Sequence, residues 1–217
     1  MVPIYCIVGK SDAGKTTFIE RLIPALKVRG IRVATVKHDI HGFEMDREGK
    51  DSWRHKKAGS DCVIIASPQK IGMIKDLESE MLLSEIAVRY LSDYDLIITE
   101  GYKRSPFPKI EVFRADISKT PLCSKEDGLV AIITDTGLEL DVPQFSHDDV
   151  EEVAEFITRS VGDFRKENRL ALFVNGKPVE MNPFVRNLFT QIILAMISSL
   201  KGCDNPSTID ISLKIKR

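Results

Sequence analysis

Residues 4–19 read IYCIVGKSDAGKTTFI, a short apolar run that is followed by a polar loop and then by a new apolar pattern. From Gly9 to Thr16 the loop matches the spacing G-x-x-x-x-G-K-S/T. This motif binds phosphate when it follows a strand and opens a helix. The apolar run predicts that strand, and the helical spacing of the apolar residues after Lys15 predicts that helix. The stretch therefore predicts a loop that offers backbone amides and the positive end of a helix dipole to an anion.

Strand-like and helix-like patterns alternate after this loop. Apolar runs typical of strands lie at residues 2–8, 31–37, 61–67, 70–74, 95–100, 109–114 and 129–134. Helical patterns lie at residues 15–30 and 79–91, and a third runs from Ser146 or Asp148 to about Val161. Strands interleaved with amphipathic helices predict an α/β fold of the P-loop NTPase type, with a mostly parallel sheet and helices on both faces.

The pattern restarts after a charged stretch at residues 162–169. We therefore predict a P-loop nucleotide-binding domain at residues 1–162 and a small ββαβ extension at residues 168–217. An extension of this size is too small to form a sufficient core in most proteins. We expect it to dock on the main domain or on its copy in a dimer.

Three patterns carry the prediction for the extension. Residues 170–174 and 177–181 flank Asn175-Gly176, a pair typical of a type I′ hairpin turn. Asn182 and Pro183 stand in the positions that open a helix. Residues 208–215 alternate strictly between apolar and polar side chains, which predicts a final strand.

Composition limits the classes of partner. The chain of 217 residues has 31 basic and 32 acidic side chains, so no net field draws it to nucleic acid or to an anionic membrane. Its 4 cysteines are far apart and form no C-x-x-C pair, which favours reduced thiols in a cytoplasmic protein, with a metal site assembled by the fold as the alternative. The first apolar run ends at Gly9, so we expect neither a signal peptide nor a membrane span.

The phosphate-binding loop supplies most of the candidate site. Lys15 is expected to reach the β- and γ-phosphates of a nucleotide, and the Thr16 hydroxyl to coordinate Mg²⁺. The candidate nucleotide-binding residues of the loop are Gly9, Lys10, Ser11, Asp12, Ala13, Gly14, Lys15, Thr16 and Thr17.

Two carboxylates outside the loop complete the predicted chemistry. Glu100 ends the apolar run L-I-I-T and is followed by Gly101, so it is the candidate for a second metal contact beside Thr16. Asp39 follows the second predicted strand and is a candidate to order an attacking water or the Mg²⁺ shell. Lys10 occupies the position of a lysine that crosses to the partner's nucleotide in dimeric ATPases, although a lone lysine in a polar loop is common.

A long polar segment without periodicity covers residues 37–60. Such a segment inside a compact domain is usually functional or disordered, and a switch or substrate loop is plausible at this place. Its three histidines have no compact zinc spacing, so metal binding there is not favoured. A cationic rim for an anionic second ligand, or simply a solvated charged face, is indicated by Lys50, Arg54, Lys56, Lys57, Lys103, Arg104 and Lys109.

The motif V-G-K-S-D-A-G-K-T-T, the segment at residues 37–60, and D-L-I-I-T-E-G-Y-K followed by P-K-I-E-V-F-R together resemble the MobB family. Members are adapters of molybdopterin-guanine dinucleotide biosynthesis, and the resemblance covers about residues 1–160. It implies a homodimer that binds GTP with Mg²⁺, hydrolyses GTP weakly and assists the molybdopterin guanylyltransferase. It also implies that residues 37–60 and 101–109 face that enzyme or molybdopterin itself.

The chain departs from the expected pattern at two places. It contains no N-K-x-D or T-K-x-D motif, so Thr134-Asp135 is the nearest candidate to read guanine, and the preference for guanine is implied by the family alone. The extension at residues 168–217 lies outside the common core of the family, and three roles stay open for it: binding the pterin, binding the partner enzyme or extending the dimer. A P-loop small-molecule kinase and a dimeric ATPase switch remain alternatives to the adapter.

Overall fold

The computed structural model describes residues 1–164, 170–174, 177–211, 213 and 215. The chain divides into two compact units. The first, here called the main unit, is Val2–Arg165, and the second, here called the C-terminal unit, is Lys166–Arg217 together with Met1. Across the described residues, each helix is too short or too polar to cross a lipid bilayer.

The main unit contains eight strands and four helices among its described residues. The strands are β1 Ile4–Val8, β2 Val33–Lys37, β3 Cys62–Ala66, β4 Ile71–Lys75, β5 Leu96–Glu100, β6 Lys109–Val112, β7 Leu129–Ile133 and β8 Gln144–Phe145. The helices are α1 Lys15–Val28, α2 Asp51–Lys57, α3 Leu83–Tyr90 and α4 Val150–Phe164.

Six of these strands form one sheet in the order β2-β5-β1-β6-β7-β8. Every neighbouring pair in it is parallel. The carboxyl ends of parallel strands meet at one edge, so the segments that follow β1, β2, β5, β7 and β8 share that edge. The predicted α/β fold with a parallel sheet is confirmed.

Helices cover both faces of the sheet because central strands such as β1 are apolar on both sides. On one face, α1 and α4 pack on the strands through side chains such as Leu22 and Ile157, both fully buried. On the other face, α3 contributes Leu83 and Ala87 to a second cluster that includes Cys6. Burying a leucine such as Leu22 contributes about 1.5–3 kcal/mol.

Two features of residues 37–75 differ from the expectation. The segment at residues 37–60 contains a short helix, α2, with Trp53 half-buried and the Lys57 ammonium 5.3 Å from its ring centroid. Strands β3 and β4 exist as predicted, but they pair with each other as an antiparallel hairpin outside the main sheet. Apolar periodicity identifies a strand without identifying its partner, which explains the second difference.

The C-terminal unit contains a short hairpin and one helix among its described residues. The elements are β9 Phe173–Val174, β10 Lys177–Pro178 and α5 Pro183–Ser198. Asn182 caps α5 as predicted, because its side chain accepts a hydrogen bond from the Val185 amide at 2.9 Å. The predicted turn at Asn175-Gly176 lies outside the described residues. The expected final strand is absent from residues 208–211, 213 and 215, the described part of that segment.

Candidate functional site

The loop between β1 and α1 has a tightly curled backbone. Gly9, Asp12 and Gly14 have φ angles of 148°, 62° and 92°. A Cβ at Gly9 would lie 2.3 Å from the Val112 carbonyl oxygen, so only glycine fits against β6 there. Gly14 caps α1 and has no side chain to bond the first amides of the helix. These amides are the groups that a helix N-terminus offers to phosphate.

The side chains of this loop divide by exposure. Ala13 is buried at 1 % and anchors the loop in the core. Lys10, Ser11, Asp12 and Thr17 are exposed. The Lys15 ammonium folds back over the loop and donates to the Lys10 carbonyl at 2.7 Å. The lysine of the motif is thus already held across the curled backbone.

The structure brings Thr16 and Glu100 together across 84 residues of sequence. The Thr16 hydroxyl lies 3.0 Å from each carboxylate oxygen of Glu100. Strand register explains this contact, because Glu100 pairs with Ile7 in β1 on one side and with Lys37 in β2 on the other. The Lys37 ammonium also lies 3.9 Å from Glu100 Oε1.

These groups fit a nucleotide with Mg²⁺. A hydroxyl and a carboxylate side by side are oxygen ligands of the kind that Mg²⁺ prefers. The ammonium of Lys15 and the free first-turn amides are suited to phosphate oxygens. The loop from Gly9 to Thr17 and the end of β5 therefore form a site with the chemistry of a triphosphate cradle.

Asp39 lies just beyond the same edge but does not join this group. It is exposed, and its Oδ1 accepts a hydrogen bond from the His41 amide at 2.9 Å within its own loop. Its neighbour His38 stacks on Tyr102 with ring centroids 4.6 Å apart. His38 Nε2 also lies 2.9 Å from Glu80 Oε1, so this imidazole has a defined partner.

The predicted cationic rim is wrong at Lys109. This side chain is 1 % exposed, and its ammonium donates to the carbonyls of Ser105, Phe107 and Asp127 at 2.6, 3.1 and 2.6 Å. Three acceptors satisfy the three donors of a buried ammonium, which offsets its desolvation. Lys56 likewise bonds the Ser60 carbonyl and Asp76, so it is a structural residue of the α2 region.

Glu111 is a buried carboxylate that sequence reasoning missed. It is 1 % exposed and accepts the amides of Leu122 and Cys123 at 2.7 and 3.0 Å, which fixes the segment after β6. Burial raises the pKa of the Glu111 carboxyl more than these two bonds lower it. The strand at residues 109–114 was predicted, but the burial of its charged side chains was not: β6 is central and buried on both faces, whereas alternation of charged and apolar residues is more typical of a strand with one exposed face.

Asp135 follows β7 at the carboxyl edge of the sheet and is exposed. Its Oδ1 lies 3.4 Å from the His147 amide, which donates to it, and its Oδ2 lies 3.7 Å from His147 Nε2. The sequence placed Asp135 at a strand end, but nothing in it indicated the contact with His147, which follows β8.

Comparison with known proteins gives a consistent group of relatives. The sequence profile of the family described as Molybdopterin guanine dinucleotide synthesis protein B (MobB) matches residues 4–135. A molybdopterin-guanine dinucleotide biosynthesis adapter protein of Haemophilus influenzae is 37 % identical over 157 residues, which are 72 % of this chain and 88 % of that protein.

Two further matches add a solved structure with a similar fold and a relative that is similar over nearly the whole chain. The crystal structure of a molybdopterin-guanine biosynthesis protein B matches with a TM-score of 0.59 at 36 % identity, over 73 % of this chain and 99 % of that one. A provisionally named adapter protein of the same pathway from Methanocaldococcus jannaschii is 28 % identical over 241 residues, 97 % of each chain. The second match extends into the C-terminal unit, which the first does not cover as fully.

Proposed function

This chain belongs to the MobB family, and from that membership we propose that it is a GTP-binding adapter of molybdopterin guanine dinucleotide biosynthesis. In this proposal it assists a molybdopterin guanylyltransferase, which attaches GMP to molybdopterin, and it contacts molybdopterin itself or that enzyme through residues 37–60 and 101–109. It works in the cytoplasm as a homodimer. The nucleotide is held by the domain at residues 1–162, and residues 168–217 are an extension of it.

The observation that carries the proposal is the contact between Thr16 and Glu100 beside the curled loop. The hydroxyl at the start of α1 and the carboxylate at the end of β5 lie side by side. This is the position that the ligands of a magnesium ion bound to a triphosphate would occupy. Thr16 and Glu100 hold Mg²⁺, and the amides from Ala13 to Thr17 with Lys15 hold the phosphates. When bound, Mg²⁺ neutralises charge on the β- and γ-phosphate oxygens.

Turnover in this proposal is slow. Asp39 is the candidate to orient water, yet one of its oxygens is bonded inside its own exposed loop. A carboxylate that stands apart from Thr16 and Glu100 orders water at the phosphates poorly, because efficient catalysis needs the reacting groups held together in one geometry. The nucleotide then serves chiefly as a switch that is reset by hydrolysis. A small-molecule kinase would instead turn over at about 1–100 per second.

Base preference is assigned to Asp135. A carboxylate accepts hydrogen bonds only, and guanine offers two adjacent donors at its N1 and 2-amino positions, whereas adenine offers an acceptor at N1. Asp135 lies on the same edge of the sheet as the phosphate-binding loop, two strands from β1. This arrangement supports GTP as the nucleotide of the adapter.

Thermal protection of the full chain tests the proposal. GTP with Mg²⁺ at about 100 times its dissociation constant should raise the unfolding free energy by about 2.7 kcal/mol, and ATP should protect less. Lys15→Ala should lose the protection and keep the fold. Lys27→Ala, which removes an exposed lysine from the last turn of the same helix, is the matched control and should keep it. Equal protection by both nucleotides would refute the guanine assignment, and full protection of Lys15→Ala would refute the cradle.

A further inference from the structure

The turn between β8 and α4, residues 146–149, is here called the base turn. Strands β1, β7 and β8 run parallel, so the phosphate-binding loop, Asp135 and the base turn all follow carboxyl strand ends at one edge of the sheet. Ligands of open parallel sheets bind beyond that edge. The base turn is therefore placed to contact the same nucleotide as the loop from Gly9 to Thr17.

Hydrogen bonds within the base turn fix its shape. The Ser146 amide donates to Asp149 Oδ2 at 2.8 Å, and the Asp148 amide donates to Ser146 Oγ at 3.2 Å. The Asp149 amide donates to the Ser146 carbonyl at 3.2 Å. Since these bonds surround His147 on both sides, its backbone has a defined position relative to β7.

His147 faces both oxygens of Asp135. Its amide donates to Oδ1 at 3.4 Å, and its Nε2 lies 3.7 Å from Oδ2. The carboxylate torsion of an aspartate is broad, so an exposed Asp135 without these contacts would sample many orientations. The side chain of His147 is 22 % exposed and that of Asp135 69 % exposed. The restrained carboxylate thus keeps acceptor positions open to solvent.

The imidazole has spare hydrogen-bonding capacity. His147 Nε2 is a buried atom that makes no hydrogen bond to any residue of the described chain. At 3.7 Å from Asp135 it is within reach of an ionic contact but beyond hydrogen-bonding distance. Among the described residues, no other group competes with Asp135 for a hydrogen bond to this nitrogen.

Arg21 joins the base turn to the helix that opens the phosphate-binding loop. Its Nη1 donates to the His147 carbonyl at 3.0 Å, and its Nη2 donates to Asp148 Oδ1 at 3.1 Å. Arg21 lies on α1, whose first residue is Lys15. One helix therefore contacts both the place proposed for the phosphates and the residue that restrains Asp135.

Two further charged groups act on the same pair. Arg114, just after β6, bonds Asp116 through both carboxylate oxygens at 3.1 Å. This pairing with Asp116 is the main cause that raises the pKa of Arg114, and the negative charge of Asp135 makes a smaller contribution in the same direction. The pKa of Asp116 is lowered, chiefly by its bond from Arg114, with a smaller contribution from His147. Charged side chains that follow β6 therefore act electrostatically on Asp135 and His147.

We infer that His147 is a positioning residue for base recognition, which holds the Asp135 carboxylate so that it accepts from N1–H and the 2-amino group of guanine. The inference rests on the proposed binding of GTP. It assigns a role in specificity to the base turn and to the contact between Arg21 and that turn. A site that hydrogen-bonds a substrate group favours that substrate over an analogue that lacks the group, because the analogue forms one hydrogen bond fewer.

Competition binding on the full chain with Mg²⁺ tests the inference, using GTP, ITP and ATP as probes. ITP lacks the 2-amino group, so the ratio of GTP to ITP affinity measures the second hydrogen bond to Asp135. A hydrogen bond to a charged group corresponds to a ratio of roughly ten or more in the wild type. His147→Ala should reduce this ratio to about three or less. His147→Gln, which keeps a polar side chain, should give an intermediate ratio, and Glu155→Gln on the exposed face of α4 should leave it unchanged.

The binding ratios distinguish a positioning role of His147 from a purely structural role and from a failure of the proposed function. If His147→Ala weakens GTP, ITP and ATP by the same factor, the residue is only structural and the inference is overturned. A wild type that binds GTP and ITP equally overturns it too, although GTP binding itself stands. If His147→Ala does not fold, His147→Gln decides by the same ratio. A wild type that binds none of the three nucleotides refutes the proposed function, and the inference falls with it.

Discussion

The main unit and the C-terminal unit carry similar amphipathic patterns but bury them to different extents. In α1 the apolar stripe is covered by the rest of the main unit, and Leu22 and Leu26 are fully buried. In α5 the corresponding stripe is accessible: Leu188 is 45 % and Ile192 49 % exposed, and none of the sixteen described residues of this helix is buried. A helical pattern therefore specifies a helix in both units, whereas a core forms only where a sheet is available to cover it.

The largest expected difference is in thiol reactivity, between the buried Cys123 of the main unit and the more accessible Cys203 of the C-terminal unit. Cys123, in the main unit, is 7 % exposed. Burial is the main cause that raises the pKa of its thiol to about 11. Raised from an ordinary value of 9.0, this pKa lowers the thiolate fraction of Cys123 at neutral pH about 100-fold. Cys203 in the C-terminal unit is half-buried and Cys62 on β3 is exposed.

Maleimide labelling of the native chain, followed by peptide mass spectrometry, checks this expectation. Cys62 and Cys203 should be modified at least about 100-fold faster than Cys123, and urea should abolish the difference. Modification of Cys203 as slow as that of Cys123 would mean that the C-terminal unit has a closed core in solution.

The same substitution in the two helices gives the next largest difference. Leu22→Ala should lower the free energy of unfolding by about 2–5 kcal/mol, because it leaves a cavity in a closed core. Leu188→Ala removes a side chain that is nearly half exposed and should cost less than about 1 kcal/mol. Urea denaturation of both variants measures the two values. Equal losses would show that the accessible stripe of α5 is covered in solution, contrary to the comparison.

Most strands and helices of the main unit could be predicted from the sequence, because apolar periodicity is a local property. Partners that are distant in sequence could not be predicted where neither residue belongs to a motif or stands at a predicted strand end. The three carbonyls that bind Lys109 come from two segments on either side of β6, and neither segment has a motif. A charged residue in a strand therefore predicted a solvated rim where the structure has a buried ammonium. The hairpin of β3 and β4 was found as two strands but not as a separate sheet.

The candidate site also contains residues that the sequence could identify and contacts that it could not. The loop from Gly9 to Thr17 has a motif of fixed spacing, and Glu100 stands at a strand end next to glycine, so both could be identified from the sequence. The contact of Arg21 with the base turn spans 126 residues and involves ordinary surface residue types. His147 had no signal of its own, because a single histidine in a polar turn is common and only the fold places it against Asp135.

Nucleotide binding at the loop from Gly9 to Thr17 can be checked in a crystal structure of the full chain with a non-hydrolysable GTP analogue and Mg²⁺. We expect the triphosphate to lie on the amides from Ala13 to Thr17, with the Lys15 ammonium moved from the Lys10 carbonyl to a phosphate and Mg²⁺ bound at Thr16. A nucleotide bound elsewhere, with the contact between Lys15 and Lys10 intact at 2.7 Å, would contradict it.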